Sequence, residues 1–512
     1  MRVPLTVNDF LERAALVYGD RVGIVDEPDQ PAKSWRDLTW GEIAGGARAQ
    51  AAALDALGIG RGARVAIVSH NSARLLTSFF GVSGWGRVLV PINFRLNAEE
   101  VAYIVEHSGA TMLLIDPELE DSLRGVDAKY RYVLGADADR DLYRDGVEPE
   151  PWAEPDEDAT ATINYTSGTT ARPKGVQLTH RTLWMNATVF GWQTTVTDRD
   201  VYLHTLPMFH CNGWGMTYAV TGMGGRHHVL RKVDGPEILR RVSENGVTLL
   251  CGAPAVVNAI LDAAPEWGNE VPGHGTTRIV VAGAPPPTRT IERVETELGW
   301  EFVQIYGLTE TAPLLTMNRG RLEYDALTPG ERAAKLGRAG APSLGVRLSV
   351  DDEGEVLARG NVVMGGYWQQ PEETANAIRD GWFHTGDGGW IDADNYLTIS
   401  DRKKDVIISG GENVSSIEVE DCIFSHPSVA EVAVIGVPHE KWGETVVALV
   451  VVAPGAAVTE AEIIEHCRGR LTHFKCPTSI EFRDTLARTA TGKLQKFKLR
   501  EPFWEGRDRK IN

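Results

Sequence analysis

The stretch Asn164–Gln177, NYTSGTTARPKGVQ, sets two glycines, four Ser/Thr hydroxyls, one proline and one lysine just after the β-like run ATATIN. Gly, Ser, Thr and Pro are the ordinary punctuation of surface turns. The same residue types also suit an anion. Small residues let the backbone close around it, N–H groups and hydroxyls donate to its oxygens, and a lysine adds charge. Lys174 is followed by Gly175 and not by Ser or Thr, so this is not a Walker A loop. Whether it grips phosphate depends on what the rest of the chain offers.

The chain has 512 residues, enough for two to four domains, and 43% hydrophobic residues, enough for a large core. A net charge of −18 argues against general nucleic-acid binding and against anionic membrane surfaces. It leaves room for a local basic patch around a phosphorylated ligand. The five cysteines, Cys211, Cys251, Cys422, Cys467 and Cys476, are odd in number and scattered, with no CxxC pair. That usage points to reduced thiols in a cytoplasmic protein, with neither a disulfide framework nor a zinc site. The N-terminal run MRVPLTVNDFLERAALVYGD has no continuous apolar core, so no signal peptide is expected. No run of about 18 uninterrupted apolar residues exists, so no integral membrane span is expected either. The run VVALVVVAPG stops at Pro454 and Gly455 and fits a buried strand.

Helical and strand patterns alternate in the first part of the chain. EIAGGARAQAAALDALG and ARLLTSFFGVSG read as helices, and RVAIVS, RVLVPI and TMLLID as strands. Asn97, three residues before Glu100, suits the cap of a helix over AEEVAYIVEHSG. Such alternation predicts an α/β fold with mainly parallel sheets. After an acidic connection, VEPEPWAEPDEDA, the pattern continues with VTLLCGAP, TRIVVAGAPPP and EFVQIYGLTET. Ligands gather at the carboxyl ends of strands in open α/β sheets, so the turns after these runs are candidate site walls. Near Asp351 the pattern becomes antiparallel, with EVLARG and YLTIS as short strands. Beyond the charged DRKKD, a final segment has its own apolar pattern and two expected capping boxes, Ser415 with Glu418 and Thr459 with Glu462. We place the domain boundary there, with residues 1–400 before it, 401–404 as a hinge and 405–512 as a small C-terminal domain. The expected architecture is an α/β N-terminal domain with a β-rich subdomain, followed by a small α+β domain.

Five ordered stretches, YTSGTTARPKG, YGLTE, WFHTGD, DRKKDVIISGGEN and TATGKLQK, resemble the adenylate-forming superfamily. LPMFHCNGW and SGGENVSSIEVE look most like its acyl-CoA synthetase branch, which handles short, medium or aromatic acids. The resemblance implies a two-step reaction. A carboxylate attacks the α-phosphate of ATP to give an acyl-adenylate and pyrophosphate, and the thiol of coenzyme A then displaces AMP. It implies ATP, Mg²⁺ and coenzyme A as ligands, and a C-terminal domain that moves between the steps.

The resemblance also assigns roles. Thr166, Ser167, Gly168, Thr169, Thr170 and Lys174 would hold the terminal phosphates. Ala171 departs from the family's usual Gly, and Ala487 from its frequent Pro. Tyr306 and Gly307 would stack on the adenine and shape the acyl pocket, beside the turn Gly283, Ala284 and Pro285 and the strand residue Gln304. Thr309 would touch the α-phosphate, and Glu310, with Thr170, would bind Mg²⁺, a cation that prefers oxygen ligands. Asp387 would accept from the ribose hydroxyls, with Arg402 in support. Lys493 would be the mobile catalytic lysine, and Lys404 the hinge. Gly410 and Gly411 would line a pantetheine tunnel with Trp442 packed on it, and Phe474 and Lys475 would meet the CoA nucleotide. His210 would gate the acid pocket, with Asn212, Trp214, Ala282 and Ala312 as walls. Trp214 suggests a bounded pocket for a short, branched or aromatic acid.

Other readings remain open at this stage. The activated acid could pass to a carrier protein, an amine or an oxygenation step, or be inorganic. The chain could also bind nucleotide without turnover. Flat apolar surfaces on two α/β subdomains could support a homodimer. From the role the resemblance gives Lys493, Lys493→Ala should lower acyl-adenylate formation by about 100-fold or more. It should spare thioester formation from supplied acyl-adenylate. Rapid-quench assays of the two half-reactions check this, and equal loss of both would remove that role.

Overall fold

Val/Ile/Leu-rich runs buried on both faces become parallel strands, and here they build two large sheets interleaved along the chain. The computed structural model describes residues 1–144, 146–166, 172–268, 270–402, 405–409, 412–488 and 494–505, with Arg402 described by its backbone alone. A seven-stranded sheet runs in spatial order Gly366–Tyr367, Lys174–Thr179, Thr160–Thr166, Val88–Ile92, Arg64–Val68, Ala110–Ile115 and Tyr130–Val133. From Thr160–Thr166 onward its strands are parallel. A nine-stranded sheet runs Ala341–Pro342, Leu314–Asn318, Glu301–Gly307, Arg278–Val281, Leu249–Gly252, Val201–His204, Arg226–Val229, Val22–Val25 and Asp37–Thr39. It is parallel from Glu301–Gly307 to Val22–Val25.

The helix Ala73–Gly81 is buried at every position and packs within a single core that takes residues from both sheets. Phe79 and Phe80 meet Tyr218 edge-on, with ring centroids 6.1 and 5.7 Å apart. A third, antiparallel sheet contains Val346–Val350, Glu355–Gly360, Ile378–Arg379, Trp382–Ile391 and Leu397–Arg402. The fourth sheet, Ile407–Ser409, Glu412–Val414, Val429–His439, Gly443–Val452 and Ser479–Phe482, packs on the helices Ser416–Phe424 and Glu460–Arg468 around a separate core.

Most local expectations are met. Asn97 and Glu100 form a reciprocal capping box, as do Thr459 and Glu462. The box expected at Ser415 is half formed. Ser415 Oγ accepts from the Glu418 N–H at 3.3 Å, but the Glu418 carboxylate is taken by Lys475 Nζ at 2.8 and 2.7 Å. A charge-assisted bond outcompetes a return to a neutral N–H. Among the described residues no helix is long and apolar enough to cross a membrane.

Strands Val201–His204 and Arg226–Val229 bury a histidine pair. His204 Nε2 lies 2.9 Å from His227 Nδ1, and Thr221 Oγ1 lies 3.0 Å from His227 Nε2. Burial, then the neighbouring His228, pushes His227 down to about 3, and burial drives His204 well below its ordinary value. An unfolded chain protonates both near pH 6.5. The contribution of His227 is therefore intact above about pH 6.5 and is lost as the pH falls toward about 3, by about 1.4 kcal/mol per pH unit, and His204 acts in the same direction. We expect the urea midpoint to fall between pH 6.5 and 5. His227→Gln, which takes up no proton, should reduce that slope, to which the buried His180 and His228 also contribute, and an unchanged slope would exclude His227 as a source.

Candidate active site

The carboxyl ends of strands from the two large sheets meet along a buried polar seam. Asp116, following Ala110–Ile115, takes both Nη atoms of Arg231 from beyond Arg226–Val229, at 2.9 and 3.0 Å. Burial works to raise the Asp116 carboxyl, but the Arg231 guanidinium holds it below the usual range. Asp26, following Val22–Val25, accepts from the Ala73 N–H at 2.9 Å. Asn71 donates to the carbonyls of His204, Leu206 and Leu230 at 2.9, 3.1 and 3.1 Å, and accepts from the Met208 N–H at 2.8 Å. These bonds fix the segment that leads to His210.

The phosphate-loop candidate is the end of a hairpin. Strands Thr160–Thr166 and Lys174–Thr179 are antiparallel, and their last registered pair sets Thr166 opposite Lys174. Ser167, Gly168, Thr169, Thr170 and Ala171 lie outside the described residues. Lys174 forms an ion pair with Glu373, and its Nζ sits 5.0 Å from the centre of the Tyr367 ring. Tyr367 reaches this point because Gly366–Tyr367 pairs with Gln177 and Val176 at the sheet edge. Its hydroxyl donates to Glu310 Oε1 at 2.9 Å. Burial raises the Tyr367 phenol, and the Glu310 and Glu373 carboxylates raise it further. The Glu310 backbone carbonyl accepts from Met364 N–H at 2.8 Å, so the same neighbouring segment fixes both ends of the residue. Neither Tyr367 nor Glu373 emerges from the sequence as a site residue. Glu310 and Tyr367 are 57 positions apart, and only sheet pairing brings them together.

Tyr306 and Glu310 flank the end of strand Glu301–Gly307. The Tyr306 hydroxyl donates to Asp387 Oδ2 at 2.8 Å, joining the nine-stranded sheet to the antiparallel one. Asp387 is buried and sits opposite Arg402 in the strand register. Gly307 has a backbone reason to be glycine. A Cβ there would lie 1.6 Å from the Pro313 carbonyl oxygen, because the chain folds back on itself. Gly283 adopts φ +95°, which lets the turn after Arg278–Val281 bend sharply through Ala284 and Pro285. Ala282 is buried at the head of this turn. Gln304, also buried, has an Oε1 with no hydrogen-bond partner among the described residues.

The segment after Met208 is strained. Cys211, Asn212, Gly213 and Trp214 have φ of 39°, 47°, 57° and 54°, a left-handed turn that only the glycine adopts easily. Such strain persists when surrounding contacts over-determine it, and it concentrates at functional sites. Here Asn164 Nδ2 donates to the Phe209 carbonyl and to Asn212 Oδ1, both at 3.1 Å. Asn212 Nδ2 donates to Thr162 Oγ1 at 2.9 Å. The Asn212 amide therefore serves the scaffold on both its atoms. Trp214 and Ala312 are buried in the core, whereas His210 is half-buried at the start of the turn. The Cys211 thiol points to the Thr309 carbonyl at 3.9 Å, tying this turn to the one that carries Glu310.

In the C-terminal part, Trp442 is 40% exposed at the tip of the Val429–His439/Gly443–Val452 hairpin and stacks on His439 at 4.4 Å. Phe474 is exposed to the same degree, and Lys475 is bound to Glu418. Lys404, Gly410, Gly411 and Lys493 lie outside the described residues, as does the Arg402 side chain. Among the described residues Asp351, Glu355 and His384 bring their donor atoms within 4.8 Å of one another, as a metal would require. The Arg379 guanidinium lies 2.9 Å from His384 Nδ1, which already balances that acidic corner.

The family model "AMP-binding enzyme" matches residues 11–368, and "AMP-binding enzyme C-terminal domain" matches residues 418–493. The chain belongs to this family, the adenylate-forming superfamily, in its acyl-CoA synthetase branch. Among its relatives is 4-hydroxybutyrate–CoA ligase 2 of Metallosphaera sedula, 38% identical over 97% of this chain and 94% of that protein. Another is 2-methylpropanoate–CoA ligase CCL4 of Humulus lupulus, 38% identical over 97% and 95% of the two chains. Similar solved structures include ATP-bound MatB of Rhodopseudomonas palustris, with TM-score 0.84 and 30% identity over 97% and 99% of the two chains. The anthranilate CoA ligase AuaEII with anthranoyl-AMP has TM-score 0.87 and 26% identity, with 98% of each chain covered. Removing the Tyr306 hydroxyl takes away its bond to Asp387 while keeping the ring. We expect Tyr306→Phe to raise KM for ATP about five-fold, the worth of one hydrogen bond of about 1 kcal/mol, and to leave KM for the acid unchanged. Steady-state kinetics with each substrate varied in turn checks this.

Proposed function

We propose that this protein is an AMP-forming acid–CoA ligase for a short, branched or aromatic organic acid, with the nucleotide held along the polar seam. The observation that carries this reading is the linked cluster Lys174–Tyr367–Glu310 beside Tyr306–Asp387, built from segments of three different sheets. A carboxylate oxygen is a poor leaving group, and adenylation makes it a good one. Both reactants are anionic, so the site must offset charge and align them. Lys174, with the loop of Thr166–Thr170, holds the terminal phosphates. Tyr306 supports the adenine and Asp387 accepts from the ribose. The half-buried Glu310 carboxylate, positioned by the Tyr367 hydroxyl, offers the oxygen donor that Mg²⁺ prefers. When bound, that cation neutralises phosphate charge. Thr309 stands next to Glu310 on the side toward the α-phosphate, and Lys493 meets the attacking carboxylate there.

The acid lies between the left-handed turn at 211–214 and the turn at 282–285, with His210 at its mouth and Trp214 closing the far side. The small acids named for two relatives, 4-hydroxybutyrate and 2-methylpropanoate, support a short or branched substrate. The anthranoyl ligand of a structural neighbour keeps aromatic acids in the range. Movement of residues 405–512 about 401–404 brings Gly410, Gly411 and Trp442 to the site for the thiol step. All five cysteines are free and buried, which suits a reducing cytoplasm. The test is acid-dependent ATP–pyrophosphate exchange across straight, branched, hydroxylated and aromatic acids, with mass analysis of products with and without CoA. We expect exchange without CoA and an acyl-CoA mass with it. Exchange with no thioester would assign the activated acid to another nucleophile, and no exchange with any acid would refute the ligase.

A further inference from the structure

Lys174 has a partner that neither the phosphate loop nor the nucleotide reading uses. Its ammonium pairs with the Glu373 carboxylate, on the helix Pro371–Ala377. That helix is fastened to the strand edge beside the loop, because the Tyr367 N–H donates to Thr374 Oγ1 at 2.9 Å and Thr374 Oγ1 donates to the Gln370 carbonyl at 2.9 Å. Glu373 is thus held where a loop lysine can reach it. The pair is poorly buried, with the Lys174 side chain 20% exposed and that of Glu373 46% exposed. Solvent screens such a contact, and it is easily exchanged. A polyphosphate offers the same ammonium more charge and more acceptor oxygens. Tyr367 lies under Lys174 and donates to Glu310, so the exchange happens next to the carboxylate assigned to the metal.

We propose that Glu373 is a positioning residue, the resting counter-ion of Lys174, which the terminal phosphates of ATP displace and which recaptures the lysine when pyrophosphate leaves. This rests on the assignment of Lys174 to those phosphates. Glu373 keeps the loop lysine in place before ATP binds, and it competes with the product for that lysine afterward. The competition weakens ATP and pyrophosphate binding but not AMP binding, because AMP lacks the β- and γ-phosphates.

The experiment is isothermal titration calorimetry of the full chain with MgATP, pyrophosphate and AMP. It compares Glu373→Gln, Lys174→Ala and the double variant. We expect Glu373→Gln to tighten ATP and pyrophosphate about three-fold or more and to leave AMP unchanged. In the Lys174→Ala background the same substitution should change nothing. The proposal is overturned if Glu373→Gln leaves ATP affinity unchanged or weakens it. It is also overturned if AMP shifts equally, or if the effect persists without Lys174. Wild-type ATP and pyrophosphate affinity in Lys174→Ala alone would overturn the underlying assignment of the lysine, a result distinct from failure of Glu373 alone.

Discussion

Asn71 engages four groups of the opposite sheet through one buried amide, its two Nδ2 hydrogens shared among three carbonyls and its Oδ1 accepting one N–H. It sits in the turn after Arg64–Val68, and its partners lie at or just beyond the ends of strands Val201–His204 and Arg226–Val229 of the nine-stranded sheet. With the Asp116–Arg231 pair and the Asp26–Ala73 bond, it clamps the carboxyl ends of two sheets against each other. An unpartnered polar group buried at such a place costs about 1–3 kcal/mol, so each member holds the others in register. The site depends on this seam. Its loops come from both sheets, and neither sheet alone sets where they meet.

Strain is distributed accordingly. The left-handed turn at 211–214 is a costly local shape held by the Asn164 and Asn212 amides, and the fold-back at Gly307 is a close approach that only the missing Cβ allows. The two turns are tied to each other through the Cys211 thiol and the Thr309 carbonyl. A rigid core thus presents side chains from loops that would not keep these conformations alone. The antiparallel sheet packs into the main core through Val346, Ala358 and Phe383, and the Tyr306–Asp387 bond places a carboxylate from this separate layer beside the strand end that carries Glu310.

The C-terminal segment has its own core, yet it is docked by polar bonds. The Ser416 N–H donates to Asp401 at 3.0 Å, and the Thr288 N–H donates to Asp421 at 2.8 Å. Lys496 pairs with Glu420 at 2.8 Å within the same cluster. Burial pushes the Glu420 carboxyl up, and burial would lower the Lys496 ammonium if Glu420 and Asp401 did not raise it. A buried ion pair is weak evidence for stability, but it specifies geometry. Polar, charge-matched docking suits the movement proposed for this segment.

The sequence by itself determined the strands, the helix caps at Asn97 and Thr459, the change to antiparallel pattern near Asp351 and the family. These are local: propensity, periodicity and short motifs act within a few residues, and ordered motifs survive in the chain whatever its fold. It misplaced one local bond, the Ser415 box, because a lysine far along the chain offers Glu418 a stronger partner. Tertiary structure decided which sheet each strand joins, so that Val22–Val25 pairs with its neighbour Asp37–Thr39 on one side and with the distant Arg226–Val229 on the other. It set the Asn212 amide between Asn164 and Thr162 and buried the Trp214 ring. It also brought Tyr367 and Glu373 to Lys174 and Glu310. No period or motif marks those two residues, because their positions follow from an edge strand pairing across the chain, a contact whose partners are chosen by packing and not by spacing.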